Sequence, residues 1–289
     1  MLLDEECKGC LYNSQLKKVR RECGGGEKYD AFEKGVRALC QNPPADYCAP
    51  LLMRDINRLH AKIFGDVIDY SAERRLFNQK LLAMEDELYA EITAAADPVR
   101  EAMKYAMAAN YIDFARVSDL DEGAVDLVIS AAARANPDSG VLGSLKSKLK
   151  SAKTLCFLHD NCGEIVLDKL LIRVIKQVYP QIEVISVVRG SPVINDVTEE
   201  DAEEVRLGDY ARIVSNGTDI PGTYLKEVTP EVLSLIKYSD AVISKGLGNL
   251  ETLYGEGYDI YYSFTCKCAH IAERFSSVLT STVLTKEGE

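Results

Sequence analysis

Five short polar segments in this chain carry the residue types that handle phosphate. Each follows an apolar run. Asp160 and Asn161 follow the run at 155–158, and residues 189–196 (RGSPVIND) follow the run at 184–188. Residues 215–223 (SNGTDIPGT) follow 211–214, residues 244–249 (SKGLGN) follow 241–243, and residues 265–268 (TCKC) follow 260–264. Asp160, Asn161 and Asp196 supply hard oxygen ligands, and two carboxylates plus an amide carbonyl suit Mg²⁺ or Mn²⁺. Lys245 and Lys267 supply compact positive charge, and Arg189 a planar donor. Gly246 and Gly248 allow backbone N–H groups to approach an anion closely. A metal, cations and a glycine-rich cradle together make up the equipment of phosphoryl transfer.

Each segment also has a plain structural reading. Asp-Asn after a strand commonly caps a helix or makes a turn. Asn195-Asp196 before Thr198 reads equally as a turn before a helix, and NGTDIPG is rich in turn formers. The sequence has neither GxxxxGK[ST] nor GxGxxG, which argues against a Walker-type NTPase and a standard dinucleotide fold. What favours chemistry is recurrence. In an open parallel sheet the C-terminal strand ends share one edge, where ligands bind.

The elements that would position these segments fall into two halves. Residues 70–96 carry apolar residues at helical spacing (Leu76, Leu81, Met84, Leu88, Ile92) without internal Gly or Pro, which predicts one long helix with Ser71 as its cap. Further helices are predicted near 29–41, 48–63, 98–114 and 123–135. From about Ser151 the rhythm changes to short apolar runs alternating with helical patterns at 164–178, 199–205, 230–237 and 269–275, with 249–254 ambiguous. Alternating β and α units imply α/β architecture with a mainly parallel sheet. The stretch 136–143 (NPDSGVLG) reads as a linker, giving a helical domain at 1–145 and an α/β domain carrying the site at 146–289.

The 289 residues include 34 Lys and Arg against 45 Asp and Glu, a net charge of −11, which argues against general nucleic-acid binding. No apolar run reaches the length of a membrane span. The start MLLDEECKGC lacks a signal-peptide pattern, and nine cysteines are an odd number, so a reduced cytoplasmic protein is expected. Asn216-Gly217-Thr218 matches a glycosylation pattern that such a location would leave unused. Cys7 and Cys10 form one CxxC pair, short of the two pairs usual for structural zinc, and no strand precedes them as in thioredoxin-like proteins. His159 adjoins Asp160 and reads equally as a site or a structural residue. Cys162, on the first turn of a helix, is expected to have a lowered thiol pKa.

These motifs together resemble the DUF89 damage-control metal phosphatases, in particular the prokaryotic branch with an N-terminal CxxC. "DNCGEIVLD" (160–168) is similar to the family's D-N-x-G-E-x-x-x-D, and "GSPVINDVTEEDA" (190–202) to its G-x-P-x-x-N-D-x-T-x-x-D-A. "NGTDIPGT" (216–223), "SKGLGNLETL" (244–253), "KCAHIA" (267–272) and "AANYIDF" (108–114) resemble further family motifs. Leu247, Cys162 and Asn216 depart from the residues usual there, which bears on substrate choice more than on reaction type. The resemblance implies a helical domain on a Rossmann-like α/β domain. It implies a divalent metal (Mg²⁺, Mn²⁺, Co²⁺ or Ni²⁺) on Asp160, Asn161 and Asp196, and hydrolysis of small phosphorylated metabolites such as sugar phosphates. It also implies that Asn110 and Asp113 reach in from the helical half.

The expected catalytic residues are Asp160, Asp196 and Lys245. Arg189, Ser244, Gly246, Gly248, Asn249 and Lys267 are expected around the phosphate. Metal-activated water is favoured as nucleophile over Asp160 itself. Two alternatives stand beside this reading. One is an S-adenosylmethionine-dependent methyltransferase, weakened by the single glycine of "HDNCGE". The other is a non-catalytic metal or thiol module centred on Cys7 and Cys10.

Overall fold

In the computed structural model, residues 1–65, 69–111 and 123–287 are described. Eight helices come first: α1 (Glu5–Cys23), α2 (Glu27–Gln41), α3 (Ala49–Phe64), α4 (Ser71–Leu82), α5 (Glu85–Ala94), α6 (Pro98–Ala108), α7 (Gly123–Arg134) and α8 (Ser139–Leu149). Alternation follows: β1 (Thr154–Leu158), α9 (Glu164–Val178), β2 (Glu183–Val188), α10 (Glu199–Glu204), β3 (Arg212–Ser215), α11 (Pro230–Tyr238), β4 (Ala241–Lys245), α12 (Gly246–Leu253), β5 (Ile260–Thr265), α13 (Ala269–Arg274) and β6 (Thr282–Lys286).

The sheet order is β3-β2-β1-β4-β5-β6. Strands β1 to β5 run parallel and β6 returns antiparallel at the edge beside β5. This is the order of doubly wound α/β sheets with its last strand reversed. The five apolar runs are the five parallel strands; β1, β2, β4 and β5 are buried almost throughout because helices cover both faces, and β3 at the edge is buried only at Val214.

Several elements differ from the sequence expectation. The predicted helix at 70–96 is two, α4 and α5, broken at Ala83 and Met84. No Gly or Pro marks the break; both pieces pack against α9, which sets their directions. The ambiguous 249–254 belongs to α12, so Gly246 and Gly248 lie in a helix's first turn. Helix α1 was not anticipated, and it carries Cys7 and Cys10. The predicted linker at 136–143 contains the start of α8, whose cap Asp138 accepts from Gly140 N and Val141 N, both at 2.9 Å.

Burial divides the helices unequally. Residues of α4 to α8 share one continuous core with α9 and a face of the sheet, from Phe77 through Leu145 to Tyr261 and Leu284. The expected domain division at 145/146 falls inside α8 and inside this core. Helices α1 to α3 enclose a small core of their own around Phe32, Val36, Leu52 and Ile56. Ion pairs tie them to the loop after β3, with Arg54 on Glu227 at 2.7 Å and Arg58 on Asp219 at 2.7 Å.

Candidate active site

Strands β1 and β4 are neighbours, and the chain leaves them toward opposite sides of the sheet, which opens a crevice at their C-terminal ends. Asp160 and Asn161 lie just past β1. The loop after β2 is stitched onto them. Val197 N donates to Asp160 O at 2.9 Å, Cys162 N donates to Asn195 O at 2.8 Å, and Asn161 pairs with Asp196 as an antiparallel bridge. Backbone bonding therefore brings residues 160, 161 and 196 together before any ligand is considered. Gly246, at φ +78°, closes the other side. A Cβ there would stand 1.9 Å from Asp160 Oδ2, so only glycine lets the carboxylate rest on the end of β4.

Hydrogen bonds aim the three side chains. Asp160 Oδ2 accepts from Asn161 Nδ2 at 2.7 Å and Asn110 Nδ2 at 3.2 Å. Asn161 Nδ2 also donates to Glu164 Oε1 at 2.6 Å. With carboxylates on that side, the amide must present its NH₂ there and turn its carbonyl oxygen away. Asp196 Oδ2 accepts from Arg189 Nε at 2.6 Å. Each of the three residues thus keeps one oxygen that accepts no hydrogen bond among the described residues: Oδ1 of Asp160, of Asn161 and of Asp196. All three residues line one cleft of about 730 Å³. Arg189 Nη2 is 3.7 Å from Asp160 Oδ1 as an ion pair, and both of its terminal nitrogens are buried without a hydrogen-bond partner among the described residues.

The electrostatics ask for a cation. Burial pushes the Asp160 carboxyl up to about 8, with Asp196 and Glu164 adding repulsion and Arg189 and Lys267 opposing it. Burial likewise raises Asp196, against Arg189. Among the described residues no three His, Cys, Asp or Glu side chains form a metal cage. The donor set here is two carboxylates and an amide carbonyl. That set fits a hard, oxygen-seeking divalent ion that keeps waters or substrate oxygens in its remaining positions.

All five polar segments reach this cleft. Asp160 and Asn161 come from the first, Asn195 and Asp196 from the second, Pro221 from the third, Leu247, Gly248 and Glu251 from the fourth, and Lys267 from the fifth. Lys267 is half-buried. The other candidate residues lie underneath. Lys245 is fully buried, and its ammonium donates to Ala106 O at 2.6 Å and Asp168 Oδ1 at 2.8 Å, with Glu164 Oε2 at 3.3 Å. Burial alone would lower its pKa, but Asp168 and Glu164 outweigh it and the net direction is up. Lys245 is therefore a charged pillar beneath the carboxylates, while Lys267 lines the cleft beside them.

Asn249 is also a brace. Its amide donates to His159 O at 3.0 Å and Lys245 O at 2.8 Å, and it accepts from Thr223 Oγ1 at 2.7 Å. Asn110 spans from Asp160 and Glu164 to Thr265 N, from which it accepts at 3.1 Å. Ser244 Oγ is buried without a partner among the described residues. A Cβ on Gly248 would stand 2.0 Å from Pro221 O, so this glycine serves loop packing as well as the cleft wall. Asp113 lies outside the described residues.

Two expectations are settled by burial. His159 sits in the interior, with Nδ1 3.2 Å from Asp168 Oδ2 and Nε2 3.0 Å from Ser186 Oγ. The Cys162 thiol pKa is not lowered but raised well above its ordinary value, by burial and then by Asp201. Desolvation outweighs the nearby helix start.

Glu164 and Asp168 had no assigned role in the sequence reading, yet both are fully buried and hold the Lys245 ammonium. A signal existed. Positions 160, 164 and 168 recur every four residues, one helical face, and two of them interrupt an otherwise apolar stretch.

A sequence model of the damage-control phosphatase ARMT1-like domain matches residues 4–280, and the chain belongs to that family. Among its relatives, an uncharacterized protein of Methanocaldococcus jannaschii, MJ0202, is 32% identical over 194 residues, 65% of this chain and 62% of that protein. The damage-control phosphatase PH1575 of Pyrococcus horikoshii is 35% identical over 130 residues, 44% of this chain and 45% of that protein. A damage-control phosphatase of Archaeoglobus fulgidus is 35% identical over 127 residues, 43% of each chain. The matched stretches thus cover less than two thirds of these relatives. The crystal structure of a DUF89 family protein (ph1575) from Pyrococcus horikoshii has the same fold, with a TM-score of 0.81 over 99% of both chains at 24% identity.

Proposed function

We propose that the protein is a divalent-metal-dependent phosphatase of small phosphorylated metabolites. The observation that carries this reading is the set of three oxygens, on Asp160, Asn161 and Asp196, left without hydrogen-bond donors among the described residues, on one cleft at the sheet's switch point. Family membership and relatives named damage-control phosphatases support it.

Asp160, Asn161 and Asp196 would hold the cation. When bound, it would neutralise charge on the phosphoryl oxygens and make an attacking water more acidic. The protein's own part is positioning and charge. Lys267, on the same cleft, pairs with a phosphoryl oxygen. Asn110 and Gly246 fix the Asp160 carboxylate so that no reorganisation is needed during the reaction. Asp196, turned by Arg189, presents its remaining oxygen to the cation site. Lys245, Glu164 and Asp168 hold the floor still and do not touch substrate. A methyltransferase would need a glycine-rich turn after β1; that position holds Asp160 and Asn161 instead.

The test is a screen of phosphorylated metabolites with Mg²⁺, Mn²⁺, Co²⁺ and Ni²⁺, reading release of inorganic phosphate, with EDTA as control. Release with a metal and none in EDTA is expected. Equal release with EDTA would remove the metal from the reading, and no release with any pairing would remove the phosphatase.

A further inference from the structure

The cleft continues past the carboxylates. A second hollow of about 500 Å³ adjoins it, and Gln15, Lys18, Asn57, Tyr70 and Ile194 line both. Gln15 and Lys18 stand on α1 and Asn57 on α3. Ile194 precedes the Asn195-Asp196 pair, so the loop that carries Asp196 also forms the waist between the hollows. The first hollow alone is of a size that takes a drug-sized ligand. The second is further room along the same path.

Three features of this far end lack the internal partners that structural residues have. Gln15 is 9% exposed, and its side-chain amide has no hydrogen bond among the described residues. The amide is not sealed from solvent and opens on the hollow, where a ligand's polar group can meet it. The Lys18 ammonium lies 4.4 Å from the Tyr70 ring centroid and has no ion pair among the described residues. Burial lowers its pKa, and Glu22, one turn along α1, is the acidic group that bears on it. Ile194 holds φ +49°, a strained conformation for a β-branched residue, at the waist itself. By contrast, Arg58 at the same hollow is already neutralised by Asp219 at 2.7 Å, and His60 stacks on Phe64 with centroids 4.5 Å apart. In a chain of net charge −11, Lys18 is thus a half-buried cation on the wall of the hollow with no ion pair among the described residues.

We propose that the second hollow is a recognition subsite for an anionic group at the far end of the substrate, held by Lys18 with Gln15 and Asn57. The preferred substrates are then extended phosphomonoesters that end in a carboxylate or a second phosphate. This rests on the phosphatase reading of the cleft. The face of Tyr70 already holds the Lys18 ammonium, so little side-chain freedom is lost when the anion arrives.

The test compares matched pairs that differ at the distal end: glucose 6-phosphate with 6-phosphogluconate, and fructose 1-phosphate with fructose 1,6-bisphosphate. Wild type with Mn²⁺ is expected to favour the doubly anionic member of at least one pair. The carboxylate pair and the bisphosphate pair separate the two sources of negative charge. Lys18→Met is expected to shrink that kcat/KM ratio about 10- to 100-fold, mainly through KM, as loss of a charged hydrogen bond does. Gln15→Leu, similar in shape, is expected to shrink it by a smaller factor, with melting curves confirming that both variants fold. A wild type indifferent to the distal group, or a ratio unmoved by Lys18→Met, overturns the subsite. Hydrolysis of p-nitrophenyl phosphate by wild type reads the phosphatase by itself. If it is absent, calorimetric titration of 6-phosphogluconate still reads the subsite, and a Kd identical in wild type and Lys18→Met overturns it.

Discussion

Under the cleft and along it, polar groups obey opposite rules. Beneath the carboxylates, Lys245 is matched by Asp168, Glu164 and a backbone carbonyl, and Asn249 by three partners. On the cleft, among the described residues, Asp160, Asn161 and Asp196 each leave an oxygen without a donor, and the Gln15 amide makes no hydrogen bond. Satisfied groups in a low-dielectric interior are rigid, because any displacement leaves a charge unpaired. Unsatisfied groups at a wet surface cost little until a ligand meets them. The contrast separates residues that hold the geometry from residues that use it, although the same types occur in both places.

The largest effect should come from the cleft. Asp160→Asn is expected to lower metal-dependent turnover by about 10³-fold or more, since several kcal/mol of charge stabilisation go with the cation. A melting temperature equal to or above wild type is expected alongside, because a buried like-charge contact disappears. Near wild-type turnover would break the assignment of the two layers at its centre.

Lys245→Met probes the layer beneath. It leaves Glu164 and Asp168 buried without their cation, which costs about 3–5 kcal/mol of stability. Denaturant unfolding should show the loss, and turnover per folded molecule should fall far less than with Asp160→Asn. A variant of unchanged stability that no longer hydrolyses phosphate would return Lys245 to the phosphate itself.

Lys267→Ala is the complementary case. On the cleft it should cost about 10²–10³ in kcat, as a lost transition-state donor does, with stability changed by less than about 1 kcal/mol. Comparing the two lysine variants in both assays sharpens the division more than either does alone.

The smallest effect concerns Glu251, a cleft-lining carboxyl that burial raises from 4.5 to about 7. The folded protein therefore binds this proton more tightly than the unfolded chain. The stability this confers is complete below pH 4.5 and is lost as pH rises through 7. Glu251→Gln, neutral throughout, should be more stable than wild type by about 3 kcal/mol at pH 8 and no different at pH 4. Melting temperatures across that range check it.

The sequence made the parallel layout legible through period and phase. Five apolar runs each followed by polar residues can be satisfied together only when all strands point one way. It could not show depth. Ser244-Lys245-Gly246 and Thr265-Cys266-Lys267 look alike as strings, yet one lysine is a pillar and the other lines the cleft. The difference arises because Asp168 and Glu164, some eighty residues earlier, sit under β4. Strand β6 escaped notice because Leu284 is its one buried residue and it follows the serine- and threonine-rich stretch at 276–281. Helix α1 escaped because its buried positions include Gln15 among Leu16 and Val19, which weakens the apolar stripe.

Because α1 to α3 enclose their own small core and meet the rest through ion pairs and a small apolar cluster of Cys48, Leu51 and Ile220, their cleft-facing positions lie outside the core that packs the sheet. Divergence within such an architecture is modular: descendants can alter which molecule is admitted while inheriting the reaction centre intact.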